Sequence, residues 1–123
     1  MIHYLLIRRD LPFGTCLAQL AHAAGNSVGE WMVNKPPLIT EWADPMTVVV
    51  LGVRNQRVLL SWIRRLNKQN IKYTVVREPD EPWNGEAMAI GVWPGEREKL
   101  APVFSELQTY TQFEGPRELT EVR

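Results

Sequence analysis

The stretch IHYLLIRRDLPFGTCLAQLAHAAG, residues 2–25, decides the fold because a short loop in it joins an apolar run to a segment rich in small residues. The run at 2–7 is apolar throughout and ends at Arg8, which predicts a strand buried on both faces. From about Thr15 to Val33, apolar residues recur at spacings of three and four, which predicts a helix. The residues expected to face the sheet are Leu17, Leu20, Ala21, Ala24, Val28 and Trp31.

Outward from this stretch, the remaining elements follow from the same patterns. Strands are expected at 46–53, 72–76 and 87–93, helices at 56–69 and 97–110, and a turn-rich loop, REPDEPWNGE, at 77–86. Asn55 and Asn70 are expected to cap the second helix. Residues 38–45 are expected to add a turn of helix. The order predicts an α/β sandwich whose fourth strand is antiparallel, because its connection to the third is short.

Length and composition indicate one ordinary domain. The chain has 123 residues, of which 45% are hydrophobic and 23% charged. We expect a single domain at 1–112 and a polar tail at 113–123. The lone cysteine, Cys16, allows no intrachain disulfide, and no run reaches transmembrane length, so we expect a cytoplasmic protein without a membrane partner.

The zero net charge conceals a segregation of charge along the chain. Residues 46–77 carry seven bases and no acid, whereas residues 78–123 carry four bases and ten acids. Two interpretations remain open: a basic surface that faces an anion, or pairing of the two segments within the fold.

Several chemical motifs fail on their context. GNSVG at 25–29 matches the nucleophile elbow G-x-S-x-G, but Ser27 falls late in a predicted helix and both histidines precede it. Cys16 is interpreted as a small packed residue, and His3 as a residue at the end of its strand. No cluster has the spacing of a metal site, so we expect neither metal nor cofactor.

A line of uncharged polar residues follows the first helix. Thr15, Gln19, His22 and Asn26 are spaced four, three and four, which places them on one face beside the side that packs on the sheet. A solvated face usually carries Lys and Glu, so this line favours a cleft or an interface, with ordinary solvation as the alternative. A second stripe on the helix at 56–69 is basic, and either phosphate binding or solubility explains it. Its members are Arg57, Ser61, Arg64 and Lys68.

These residues together resemble the type 2 peptidyl-tRNA hydrolases, whose first strand runs into R-x-D-L and whose first helix carries A-A-Q-x-x-H-A-A. The matching residues are Arg8, Asp10, Leu11, Ala18, Gln19, His22, Ala23 and Ala24. The acidic loop is most similar to that of the divergent peptidyl-tRNA hydrolase domain-containing branch. The resemblance implies a three-layer α/β/α sandwich with a four-stranded mixed sheet, a homodimer, and metal-free hydrolysis of the ester between a peptide and tRNA.

The chain departs from the family pattern at positions that carry polar chemistry. Thr15 stands where the family has a lysine before the first helix, and Glu78 takes the place of a loop Asp with no Thr after it. A later strand threonine is replaced near Ala87 or Met88. These departures leave open a binding module that holds tRNA or another polyanion without turnover, and, since net charge is zero, a dimerising protein with no nucleic acid partner.

Ester hydrolysis needs an aimed water, a proton acceptor and oxyanion donors. Because an imidazole titrates near neutral pH, His22 is the candidate base; Glu78 is expected to orient it or to act as base itself, and Gln19 to hold water or carbonyl. Trp83 either stacks on the terminal adenine or packs. The residues expected to bind the substrate are Arg8, Arg9, Asp10, Thr15, Asn26, Arg57, Arg64 and Lys68.

Overall fold

The computed structural model describes residues 1–34 and 46–110. Four strands form one sheet: β1 (Ile2–Arg8), β2 (Thr47–Val53), β3 (Tyr73–Glu78) and β4 (Glu86–Val92). The helices are α1 (Phe13–Asn34), α2 (Gln56–Lys68) and the single turn α3 (Arg97–Leu100), which continues into a 3₁₀ turn at Ala101–Phe104. The helix turn expected at 38–45 and the tail expected at 113–123 lie outside the described residues. No helix within those residues combines the length and apolar character needed to cross a membrane.

The sheet is mixed, as predicted. Its order is β2-β1-β4-β3, with β1 parallel to β2, and β4 antiparallel to both β1 and β3. The carboxyl ends of β1, β2 and β3 therefore meet the start of β4 at one side of the sheet, which we call the carboxyl edge. Ligands of open α/β sheets tend to bind there.

The two long helices cover opposite faces of the sheet. Alternation along β1 sends Tyr4 and Leu6 into the same apolar cluster as Trp62 of α2, and Leu5 and Ile7 into a second cluster with Cys16 of α1. This alternation is the physical basis of the predicted three-layer α/β/α arrangement.

A glycine sets how closely α1 approaches the sheet. A Cβ at Gly91 of β4 would collide with the carbonyl oxygen of Ala23 and lie 2.6 Å from the Ser27 hydroxyl oxygen. That hydroxyl donates to the Ala23 carbonyl at 2.6 Å, so the neighbouring His3 Nε2, 2.7 Å away, is the donor to Ser27. Both side chains are buried, and desolvation lowers the pKa of His3, which is therefore neutral. His3 lies inside β1 rather than at a strand end, which corrects the sequence-based interpretation.

The predicted inner face of α1 is wrong by a partial turn. Leu17 is 49% exposed and Ala21 is exposed, whereas Gln19 is buried. The residues that α1 buries are Cys16, Gln19, Ala23, Ser27 and Trp31. The close approach of α1 to Gly91 leaves room only for small side chains at the contact. The face of α1 that contains Ala23 and Ser27 therefore packs on the sheet, and the larger Leu17 lies outside the contact.

The predicted last helix at 97–110 is also wrong, since only Arg97–Leu100 is α-helical. Pro102 has no backbone N–H for the α-helical ladder and lies in the following 3₁₀ turn. Further on, Gln108 and Tyr110 hydrogen-bond the outer edge of β2 through Gly52 and Val50. Both predicted caps of α2 are confirmed: Asn55 accepts from the Val58 amide at 3.1 Å, and Asn70 has a φ of 59° just after the helix.

Candidate active site

The carboxyl edge gathers most of the polar residues predicted for the site. Glu78 is the last residue of β3, although the sequence pattern placed it in the loop, and Arg8 is the last residue of β1. Gln19 reaches the same edge from α1. The parallel course of β1 and β3, with β4 running back between them, brings these distant segments together.

A hydrogen-bonded pair, Gln19 and Glu78, forms the centre of this site. The side-chain amide of Gln19, which is 4% exposed, donates to Glu78 Oε1 at 3.0 Å. The other carboxylate oxygen, Oε2, accepts from the backbone N–H of Asp80 at 3.3 Å. Glu78 is half-buried, and an ionised carboxylate offers about four lone-pair positions. Its carboxylate is therefore oriented by the protein and can still accept a hydrogen bond from a small molecule.

The loop at 79–85 is closed by its own backbone. The Gly85 amide donates to the Glu78 carbonyl at 2.7 Å, and the Trp83 amide to the Asp80 carbonyl at 2.9 Å. The Trp83 side chain is half-buried against the cluster beneath α1. The packing interpretation of Trp83 is thus confirmed, and its ring helps to hold the loop that follows Glu78.

Arg8 is held by carboxylates within the fold, and its role as a phosphate ligand stays a prediction. Its side chain is 6% exposed, and its guanidinium makes a bidentate pair with Asp10, 2.9 Å for each bond. It also donates to Glu86 at 2.7 Å and to the Ala87 carbonyl at 3.1 Å, and lies 5.5 Å from the Trp83 ring centroid. The hydrogen bond to Asp10 raises the pKa of Arg8 most. Asp10 is its partner, and the predicted substrate role of Asp10 likewise stays a prediction.

The predicted polar line on α1 is divided between two environments. Gln19 lies in the core, Thr15 is half-buried, and His22 and Asn26 are exposed. Positions three apart on a helix are neighbours, so the His22 imidazole lies about one turn beyond the Gln19–Glu78 contact. Among the described residues, none hydrogen-bonds this ring. The imidazole is therefore accessible from solvent, three residues after Gln19 on α1.

The two candidate nucleophiles considered from sequence, Cys16 and Ser27, are buried. Cys16 is 1% exposed, and desolvation raises the pKa of its thiol against the smaller opposing effect of a hydrogen bond with Tyr110. Ser27 is fully buried within α1. These positions confirm Cys16 as a packed residue and agree with the rejection of the nucleophile-elbow motif.

The predicted cationic residues are exposed but lie at different places. Arg9 directly follows β1 at the carboxyl edge, and its guanidinium carbon lies 6.0 Å from the Tyr110 ring centroid. Arg57 lies in the first turn of α2, near that edge, whereas Arg64 and Lys68 lie in the later turns of the helix. The structure therefore does not bring Arg64 and Lys68 to the Gln19–Glu78 pair. Across the described residues, no three His, Cys, Asp or Glu side chains converge as a metal site.

Sequence reasoning missed two functional supports of the site. Glu86, which holds Arg8 from 78 positions away, has no local signal because only the sheet order brings the two together. Gly91 had a weak signal, since it is a glycine inside an apolar strand, and such a residue often marks a close backbone approach.

Comparisons with known proteins agree with this architecture. Residues 1–110 match the model of the family described as peptidyl-tRNA hydrolase PTH2. A solved structure of a protein of unknown function from Agrobacterium tumefaciens is similar with a TM-score of 0.58 at 12% identity, covering 89% of this chain and 96% of that one. At this identity the likeness shows the fold alone. No curated protein matches.

Proposed function

We propose that this chain, which belongs to the peptidyl-tRNA hydrolase PTH2 family, hydrolyses the ester joining a peptide or an N-blocked amino acid to the 3′ end of tRNA. The observation that carries the proposal is the half-buried Glu78 carboxylate, which Gln19 holds at the carboxyl edge, with the exposed His22 imidazole three residues after Gln19 on α1. Such an edge is where α/β sheets bind ligands.

The reaction requires no redox chemistry. Water adds to the ester carbonyl carbon, the bond from that carbon to the ribose oxygen breaks, and the ribose oxygen leaves with a proton. The products are a free carboxylic acid and tRNA with a free terminal hydroxyl. A base that accepts the proton of the attacking water typically contributes about 10² to 10⁴ in rate.

In this proposal Glu78 is the base and Gln19 is its positioning residue. The hydrogen bond donated by the Gln19 side-chain amide fixes one carboxylate oxygen of Glu78, so the remaining lone pairs keep a constant direction and can accept from an incoming water. His22, the candidate base from sequence, takes the second role: it donates a ring proton to the departing ribose oxygen. The proton that Glu78 took from water then passes through solvent to the imidazole, which returns both groups to their starting states. An imidazole is suited to that role because it exchanges protons near neutral pH.

The test follows release of free tRNA from an N-acetylaminoacyl-tRNA. Glu78→Gln keeps the size and a hydrogen-bond acceptor but removes the basicity, and we expect it to slow release by about 10² or more. Glu81→Gln is the matched control: it makes the same chemical change at an exposed position in the loop that follows β3. An equal effect of the two substitutions would remove Glu78 from the mechanism. His22→Ala is expected to slow release too.

A second candidate function is a module that binds tRNA without turnover. Thr15 at the position of the family lysine favours it, because a half-buried hydroxyl supplies neither the charge nor the reach of a lysine. It predicts binding of tRNA that weakens steeply with salt and no release of product. The hydrolysis assay on the unmodified chain therefore separates the two functions.

Two further expectations accompany this proposal. The first is a homodimer, for which sedimentation velocity gives the mass: a monomer at all concentrations contradicts it. The second is action in the cytoplasm, where fluorescence of a tagged chain reports its location.

A further inference from the structure

We infer that the outer face of α2 is the surface that docks the body of the tRNA, away from the ester-cleaving edge. The surface consists of Arg57, Arg64 and Lys68, which we call the basic stripe. The identity of the polyanion as tRNA rests on the proposed function, but the location of the surface rests on charge and geometry alone.

Within residues 1–34 and 46–110, few of the charges of this region are paired with a carboxylate. Of the seven bases at 46–77, only Arg65 forms an ion pair with a carboxylate among the described residues, with Glu106 at 2.6 Å. Arg77 donates instead to the Gly85 carbonyl at 3.1 Å. Of the two interpretations left open by the sequence, internal pairing thus accounts for one base in the part of the chain that the structure describes, and a basic surface fits most of the others.

The stripe faces solvent over the whole length of the helix. α2 buries Leu59, Trp62 and Leu66 against the sheet, and the stripe residues lie on the opposite side at spacings of seven and four. No acidic residue occurs in α2. With a rise of about 1.5 Å per residue, Arg57 and Lys68 are separated by roughly 16 Å along the axis. A row of cations this long can contact several phosphates of one nucleic acid strand.

The opposite layer offers no equivalent surface. α1 contains no Lys or Arg, and it contains an acid, Glu30. A polyanion is therefore attracted to the α2 side of the sheet and not to the α1 side. Arg54 and Arg57, at the carboxyl end of β2 and the first turn of α2, continue the cationic surface to the edge where the tRNA end would react.

Charge complementarity favours double-stranded RNA over a protein partner. Duplex RNA is bound mainly through phosphates and shape, which exposed Arg and Lys side chains on a helix can contact without sequence readout. The stripe contains no aromatic residue of the kind that anchors protein interfaces.

The experiment measures binding of deacylated tRNA, which contains no ester, so its result is independent of hydrolysis. Arg64→Gln with Lys68→Gln removes two cations far from the Gln19–Glu78 pair. The matched control, Gly25→Glu with Gly29→Glu, changes net charge equally on exposed α1 positions where an added Cβ meets nothing within 4 Å. Thermal melting checks that both variants fold.

We expect the α2 variant to weaken tRNA binding about tenfold or more and to lower the slope of log K against log salt by about 2. We expect the α1 variant to bind within about twofold of the unmodified chain. Equal weakening by both variants would show that only net charge matters, and unchanged binding of the α2 variant would exclude the stripe; either result overturns the inference. If the unmodified chain binds tRNA through α2 but releases no product from N-acetylaminoacyl-tRNA, the proposed function is overturned and this inference is not.

Discussion

Replacement of Gly91 by alanine tests the contact that places α1, and with it Gln19, over the sheet. The new methyl group would collide with the Ala23 carbonyl oxygen and lie 2.6 and 2.8 Å from the Oγ and Cβ atoms of Ser27. A helix carbonyl cannot rotate away, so α1 must move outward by part of an ångström. Gln19, Ala23 and Ser27 lie at intervals of four on the same face of α1, so the movement also strains the hydrogen bond from the Gln19 amide to Glu78.

The magnitude follows from the kind of collision. Overpacking a well-packed core costs about 1–3 kcal/mol, and contact with backbone puts Gly91→Ala at the upper end, about 2–3 kcal/mol. For a domain of this size, each kcal/mol lowers Tm by about 4 °C, so the expected decrease is about 8–12 °C.

Differential scanning calorimetry of Gly91→Ala and Gly25→Ala supplies the comparison. Gly25 is an exposed residue of α1, the helix that Gly91 contacts, and a Cβ there meets nothing within 4 Å. Alanine at an unstrained helical glycine stabilises by about 0.5–1 kcal/mol, so Gly25→Ala is expected to raise Tm by about 2–4 °C. The reasoning is refuted if Gly91→Ala melts within about 2 °C of the unmodified protein.

Three further predictions concern buried polar groups. Burial holds the pKa of His3 below 6.5, its value in the unfolded chain, so the unfolded state binds the extra proton first as pH falls. Urea unfolding should therefore show full stability above about pH 6.5 and a decline in the free energy of unfolding below it. The decline should be less steep in His3→Gln, and equal slopes in the two proteins would contradict this. Arg8→Lys should lower stability by about 1–2 kcal/mol in the same urea assay, because an ammonium cannot reproduce the bidentate pair with Asp10; Arg9→Lys, at an exposed position, serves as control and should change little. Cys16 should react with a thiol reagent only at the rate of unfolding, and rapid reaction of the native protein would contradict its burial.

The fold was largely predictable because its signals are local. Apolar β-branched runs end at turn residues, and Asn55 and Asn70 mark the limits of α2 through their own backbone preferences. The rotation of α1 was not predictable in the same way. Small and apolar residues surround much of that helix, so periodicity alone cannot tell which line meets the sheet, and Gly91, which decides it, lies in a distant strand.

The site was predictable in composition more than in geometry. Gln19 and Glu78 were both expected in the site, and they do meet, across 59 positions of sequence. The pairing of the charged residues was not predictable from sequence: Arg8 contacts Asp10 and, across the sheet, Glu86, while its role as a phosphate ligand stays a prediction.

The rate at which the purified chain releases tRNA from N-acetylaminoacyl-tRNA, compared between the unmodified protein and Glu78→Gln, tests the central claim most directly. The account predicts release at micromolar protein and a decrease of about 10² or more in the variant. Release no faster than in buffer, or the same rate in both proteins, would contradict it.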